Sequence, residues 1–187
     1  MLSFQPILSA LLAHPGHAPA SGFAAGLVHP LGGLDHLLAM VAVGLLAVRL
    51  RSGSPAALWA LPAVFIASLV AGGALASVVP SVPGIEFAIA ASVMLFGALL
   101  AVARPLSWSL TVPIVAIAGA VHGHAHIAEL PGESSVVAYA IGMVLMTAVL
   151  HAFGIAAGLA ASRLPSVVPV RVIGAALAVV GVILVLG

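Results

Sequence analysis

Residues 22–48 read GFAAGLVHPLGGLDHLLAMVAVGLLAV. The run exceeds the ~20 apolar residues that cross a bilayer as a helix. Yet it carries His29, Pro30, Gly32, Gly33, Asp35 and His36 near its centre. It lacks the every-second-residue alternation of a barrel strand. An ionised Asp at that depth costs roughly 2.5–3.5 kcal/mol on insertion, a cost that a packing residue such as Leu would avoid. In a continuous helix His29 and His36 share a face but stand about 10 Å apart along the axis, too far for one ion. Pro30 removes a backbone donor, and Gly32 and Gly33 permit unwinding. The segment is therefore expected to be a helix interrupted across Pro30–Gly33. It would present imidazole, carboxylate and imidazole near the bilayer midplane, as broken membrane helices do. A Pro-kinked helix, with His and Asp serving only interhelical hydrogen bonds, is the plainer alternative.

The rest of the chain is of one kind with this stretch. Of 187 residues, 64% are apolar and 5% charged, with five Lys+Arg, four Asp+Glu, eight His and no Cys. Mean hydropathy is +1.36. Soluble domains carry about 25% charged residues, so too little charge exists here to cover a water-facing surface. A nucleic-acid binder is excluded for want of a basic patch, and a disulfide scaffold for want of Cys. The composition predicts an all-α integral membrane protein. Apolar runs at about Gly22–Val48, Ala57–Val79, Ile85–Ala103, Leu106–His122, Ser135–Ala161 and Val168–Leu186 predict a bundle of six transmembrane helices. The connections are too short to hold a soluble domain, so residues 14–187 are expected to form a single six-helix transmembrane transport domain.

Six spans put Arg49, Arg51, Arg104, Arg163 and Arg171 on one side of the membrane, which the positive-inside rule makes the cytoplasm. Both termini then face outward, along with His14, His17, Glu86, His124, His126, Glu129 and Glu133. Residues 1–13 lack a basic n-region and are interrupted by Pro6. They fit a signal-peptide remnant, an interfacial segment or a plain chain end. Trp59, Trp108 and Tyr139 sit near span ends, where interfacial anchoring explains them.

The histidines carry the chemistry. His122, His124 and His126 alternate at the outer end of the fourth run, with Glu129 following. If the helix continues, His122, His126 and Glu129 share one face, which suits a divalent transition metal. His124 points elsewhere. His151 is alone in the fifth run, where a lone His is ordinarily a satisfied core residue, but its depth matches that of Asp35. His14 and His17 are candidates for outer capture, together with His124. Imidazole suits Ni, Cu, Zn and Fe, whereas the absence of Cys disfavours Cu(I). Four acids against eight His disfavour Mg²⁺ or Ca²⁺. These residues point to a permease for a divalent transition metal with no resident cofactor. Its central site would use His29, Asp35, His36 and His151, fed by an outer cluster of His122, His126 and Glu129. A haem- or metal-binding membrane protein, acting as electron carrier or receptor, is the alternative. An enzyme is not expected, since no His-Glu-x-x-His or Gly-x-Ser-x-Gly element occurs. Oligomeric state is left open.

At these motifs the chain resembles the HupE/UreJ family of nickel/cobalt permeases. The family's His-Pro-x-x-Gly-x-Asp-His signature is met by His29, Pro30, Gly33, Asp35 and His36. A segment of the type His-Gly-x-Ala-His-Gly-x-Glu is met by His122, Gly123, Ala125, His126 and Glu129, with Ile127 in place of the second Gly. Leu150, His151 and Gly154 match a Leu-His-x-x-Gly element, and His14 to His17 resemble a family N-terminus. The resemblance implies uptake of Ni²⁺, or of Co²⁺, across a bacterial inner membrane in the service of hydrogenase or urease.

Overall fold

The interrupted segment is two helices, α1 (Gly22–Gly32) and α2 (Leu34–Leu50), bent by 84° at Gly33. The structure, a computed structural model, describes residues 22–51, 55–79, 82–102, 106–128, 130 and 135–187. The break is narrower than the expected Pro30–Gly33. Pro30 lies in the last turn of α1, where its missing donor forfeits only the bond to the Gly26 carbonyl. Gly33 is extended, at φ −113° and ψ 126°, a conformation open to any residue. What makes the position tight is the pair of side chains beside it. A Cβ would lie 2.6 Å from Asp35 Oδ1 and 2.8 Å from His36 Nδ1.

Five further helices follow: α3 (Pro55–Ala76), α4 (Ile85–Ala101), α5 (Trp108–Ala128), α6 (Val136–Ala161) and α7 (Val168–Leu186). Among the described residues these seven helices stand without a strand. α3, α5, α6 and α7 are each long and apolar enough to cross a membrane, and the bent pair α1 and α2 qualifies together. α4, with 17 residues, is shorter. Local signals set several ends. Gly84, the N-cap of α4, is left-handed at φ 77°, a conformation that favours glycine. The Ser135 side chain accepts from the Ala138 N–H at the start of α6.

α2 is the central post, buried from Ala39 through Val48 except at Val41. Large apolar side chains such as Ile117, Val137, Phe153, Val172 and Ile183 are exposed around it, as suits helices solvated by lipid. Because lipid removes the hydrophobic drive between helices, close backbone approach must hold the pairs together. Glycines supply it. A Cβ on Gly72 or Gly123 would overlap the carbonyl of Ala120 or Leu69, so α3 and α5 lie backbone to backbone. Gly26, Gly142, Gly44 and Gly154 do the same between α1 and α2 on one side and α6 on the other.

The same contacts give helix directions. Phe65 meets Gly119 and Leu69 meets Gly123, so α3 and α5 run parallel. Met94 meets Gly181 and Ala101 meets Gly174, so α4 and α7 run antiparallel. α1 packs on the start of α6 at Gly142, and α2 packs farther along it at Gly154 and Gly158. Arg49 Nη1 donates to the carbonyls of Leu99, Leu100 and Val102 at 3.3, 2.7 and 3.0 Å, and Arg171 Nε to that of Ala101 at 3.1 Å. Two guanidinium groups thus satisfy the C-terminal carbonyls of α4, where positive charge is favoured.

Candidate metal centre

Asp35 and His36 open α2, and the bend at Gly33 folds α1 back over them. His29 thereby comes to 6.1 Å from His36, centroid to centroid, instead of the ~10 Å of a straight helix. α5 supplies the other wall. Its helix continues through His122 to Ala128, six residues beyond the end expected from sequence, so His126 is a helical residue facing inward. Its ring lies 4.6 Å from both the His29 and the His36 rings. One nitrogen from each of His29, His36 and His126 falls within 4.8 Å of the others. Three imidazoles bound to an ion at about 2.1 Å would bring their nitrogens to roughly 3–3.4 Å of each other. Loading would thus draw them together by up to about 1.8 Å.

Hydrogen bonds fix which nitrogens can act as ligands. His36 Nδ1 donates to Asp35 Oδ1 at 2.8 Å, and the same oxygen accepts the His36 backbone N–H at 2.8 Å. A neutral His36 therefore keeps its lone pair on Nε2, which is buried without a partner. This is the carboxylate–histidine arrangement that orients metal-binding imidazoles. Asp35, expected as a ligand, is engaged through Oδ1 with both the ring and the backbone of His36. His122 Nδ1 donates to the Ala118 carbonyl at 2.8 Å, again leaving Nε2 buried and bare. Its ring is 5.2 Å from that of His36 and 6.5 Å from that of His126. Neither His126 nitrogen has a partner, although the residue is fully buried.

Several expectations change with this geometry. The outer cluster and the central site are one cluster, because α5 carries His126 down to the bend of α2. The cluster lies at the first turn of α2 and the last turn of α5, not at mid-helix. His151 is deeper, about 18 Å of helix beyond Tyr139. Its Nδ1 donates to the Met40 carbonyl at 2.7 Å, and its ring packs against that of Phe65, which also contacts His122. His124 faces away and donates from Nε2 to the Val79 carbonyl at 2.6 Å, which ties α5 to the end of α3. Glu129, His14 and His17 lie outside the described residues, as does Glu133, while Glu86 is exposed.

Two residues enter the site that the sequence did not suggest. Tyr139, expected as an interfacial anchor, is buried with its ring 5.7 Å from that of His29. Phe65 is fully buried against both His122 and His151. Nothing marks either one in sequence, where each is an aromatic residue in an apolar run.

The family model described as HupE / UreJ protein matches residues 2–184. The chain is also similar to "Protein HupE" of Rhizobium leguminosarum bv. viciae, with 39% identity over 170 residues, covering 90% of this chain and 86% of that one. No solved structure matches it. With the family model spanning nearly the whole chain, and the His-Pro-x-x-Gly-x-Asp-His signature folded into a three-histidine cluster, this multi-pass helical protein belongs to the HupE / UreJ family.

Proposed function

We propose that the chain is an inner-membrane permease that takes up a divalent transition-metal ion, Ni²⁺ first and Co²⁺ second. The carrying observation is the set of buried, bare nitrogens converging from α1, α2 and α5: His36 Nε2, both His126 nitrogens, and the nearby His122 Nε2. A buried polar atom without a partner costs about 1–3 kcal/mol. Several of them side by side in an apolar bundle favour a cation that collects their lone pairs. Borderline nitrogen donors suit Ni²⁺ and Co²⁺ over Mg²⁺ or Ca²⁺. The haem alternative is disfavoured by packing. The rings of His29, His36 and His126 stand 4.6–6.1 Å apart, which leaves no room for a macrocycle between them. The ion is carried, not transformed, so no catalytic role is assigned.

Six spans are the topology that helix direction supports. α3 and α5 run parallel, and only α4 and two short connections join them, so α4 must return the chain across the membrane. Its 17 residues span about 26 Å as a helix. On this reading the α1–α2 pair is one broken span: α1 crosses the start of α6 between Tyr139 and Met143, and α2 then runs along α6 from His151 to Gly158. Arg49 and Arg171 meet at the C-terminal end of α4, and the positive-inside rule supports a cytoplasmic position for that end. The histidine cluster and both termini then face the periplasm. Accumulation of Ni²⁺, Co²⁺, Zn²⁺ and Cu²⁺ by cells expressing the chain tests the function. Ni²⁺ uptake should be abolished by His36→Ala in a variant that still inserts. Equal uptake by cells with and without the chain would reject a permease.

A further inference from the structure

We propose that Phe65 is the barrier of the ion path, separating the histidine cluster from an inner station at His151. This rests on the permease reading above. The ring of Phe65 lies 5.5 Å from that of His122 and meets that of His151 edge-on at 5.1 Å and 89°. Both imidazoles are held by backbone carbonyls through Nδ1, His122 by Ala118 and His151 by Met40. Each therefore keeps a bare Nε2. Phe65, His122 and His151 are all 0% exposed. Two lone-pair donors thus pack against one phenyl ring inside the bundle. An apolar constriction of this kind stops ions by excluding the water and ligands that would accompany them.

The backbone at Phe65 is clamped. A Cβ on Gly119 would sit 3.2 Å from Phe65 Cα and closer still to its carbonyl oxygen, so α3 and α5 leave no slack there. The ring must open by side-chain rotation, not by movement of α3. Behind it, His151 shares its layer with Thr147 and Met40, whose hydroxyl and sulfur contact each other at 3.4 Å. One imidazole with a hydroxyl and a thioether makes a weaker site than three imidazoles. That ordering lets an ion leave after it has entered.

The chain has no Cys, so a reporter thiol can be placed cleanly. His151→Cys is introduced into the full chain, the protein is reconstituted in liposomes, and a membrane-impermeant cationic methanethiosulfonate is added on the side of the α5 C-terminus. With Phe65 present, modification should be slow. Phe65→Ala should speed it at least ten-fold and Phe65→Trp should not. Phe65→Leu, a smaller truncation, serves if the Ala variant does not fold. Modification of Ser77→Cys, at the end of α3, should be equal in all backgrounds. Equal rates at position 151 with and without the Phe65 ring would overturn the barrier. His151→Leu should lower Ni²⁺ flux at least ten-fold while calorimetric affinity stays within two-fold of wild type, and unchanged flux would overturn the inner station. Labelling needs no metal, so failure of Ni²⁺ to bind the wild-type chain would count against the permease reading separately.

Discussion

Gly33→Ala isolates what the bend contributes to the site. The backbone at Gly33 suits alanine, since φ is −113°, so no strain enters from the chain. The new Cβ would stand 2.6 Å from Asp35 Oδ1 and 2.8 Å from His36 Nδ1, where ordinary contact begins at 3.4 Å. Both atoms end side chains, so they yield and the fold survives. What yields is the 2.8 Å bond that orients His36. Losing an outer partner of a ligating imidazole typically costs 10–100-fold in metal affinity, or about 1.4–2.7 kcal/mol. Gly32→Ala is the matched control, because nothing lies within 4 Å of its Cβ position. Isothermal titration of purified protein with Ni²⁺ should show Gly33→Ala weakened by that factor and Gly32→Ala unchanged, with equal helical circular dichroism. An affinity for Gly33→Ala within two-fold of wild type would refute the reasoning that Asp35 acts through His36.

Because His29, His36 and His126 form one cluster, His36→Ala and His126→Ala should show the same loss of uptake, and excess metal should rescue neither; rescue of His126→Ala alone would restore a separate capture site. Ligating imidazoles must be neutral, so protons compete with the ion and uptake should fall once external pH is acid enough to protonate the cluster; uptake that stays flat down to the pH at which the protein unfolds would count against histidine ligation. Ser77→Cys at the end of α3 should react with an impermeant thiol reagent from outside intact spheroplasts, and Ser166→Cys between α6 and α7 should not; the opposite pattern would invert the topology.

The sequence showed the helices through their apolar runs, and showed His29, Asp35, His36, His122 and His126 through polarity that such runs do not tolerate without reason. It misplaced the end of α5 for a physical cause. His124 and His126 look like a polar helix end, but burial inside the bundle lets α5 continue to Ala128. Spacing along one helix also cannot distinguish a carboxylate that binds an ion from one that orients a neighbouring ring. That distinction depends on an 84° bend and on the room left by Gly33. Phe65 was invisible because an aromatic residue among Val64, Ile66 and Leu69 carries no signal until its two histidine neighbours are known.

The position of the cluster at the ends of α2 and α5 bears on how voltage acts on the carrier. A dication gains about 4.6 kcal/mol for each 100 mV it crosses. On the topology proposed above, an ion resting on His29, His36 and His126 would have traversed little of the membrane, so most of that drop would still lie ahead of it, along α2 and past Phe65. Loading should therefore depend on concentration and pH with little response to potential, whereas an inside-negative potential should drive the step that follows.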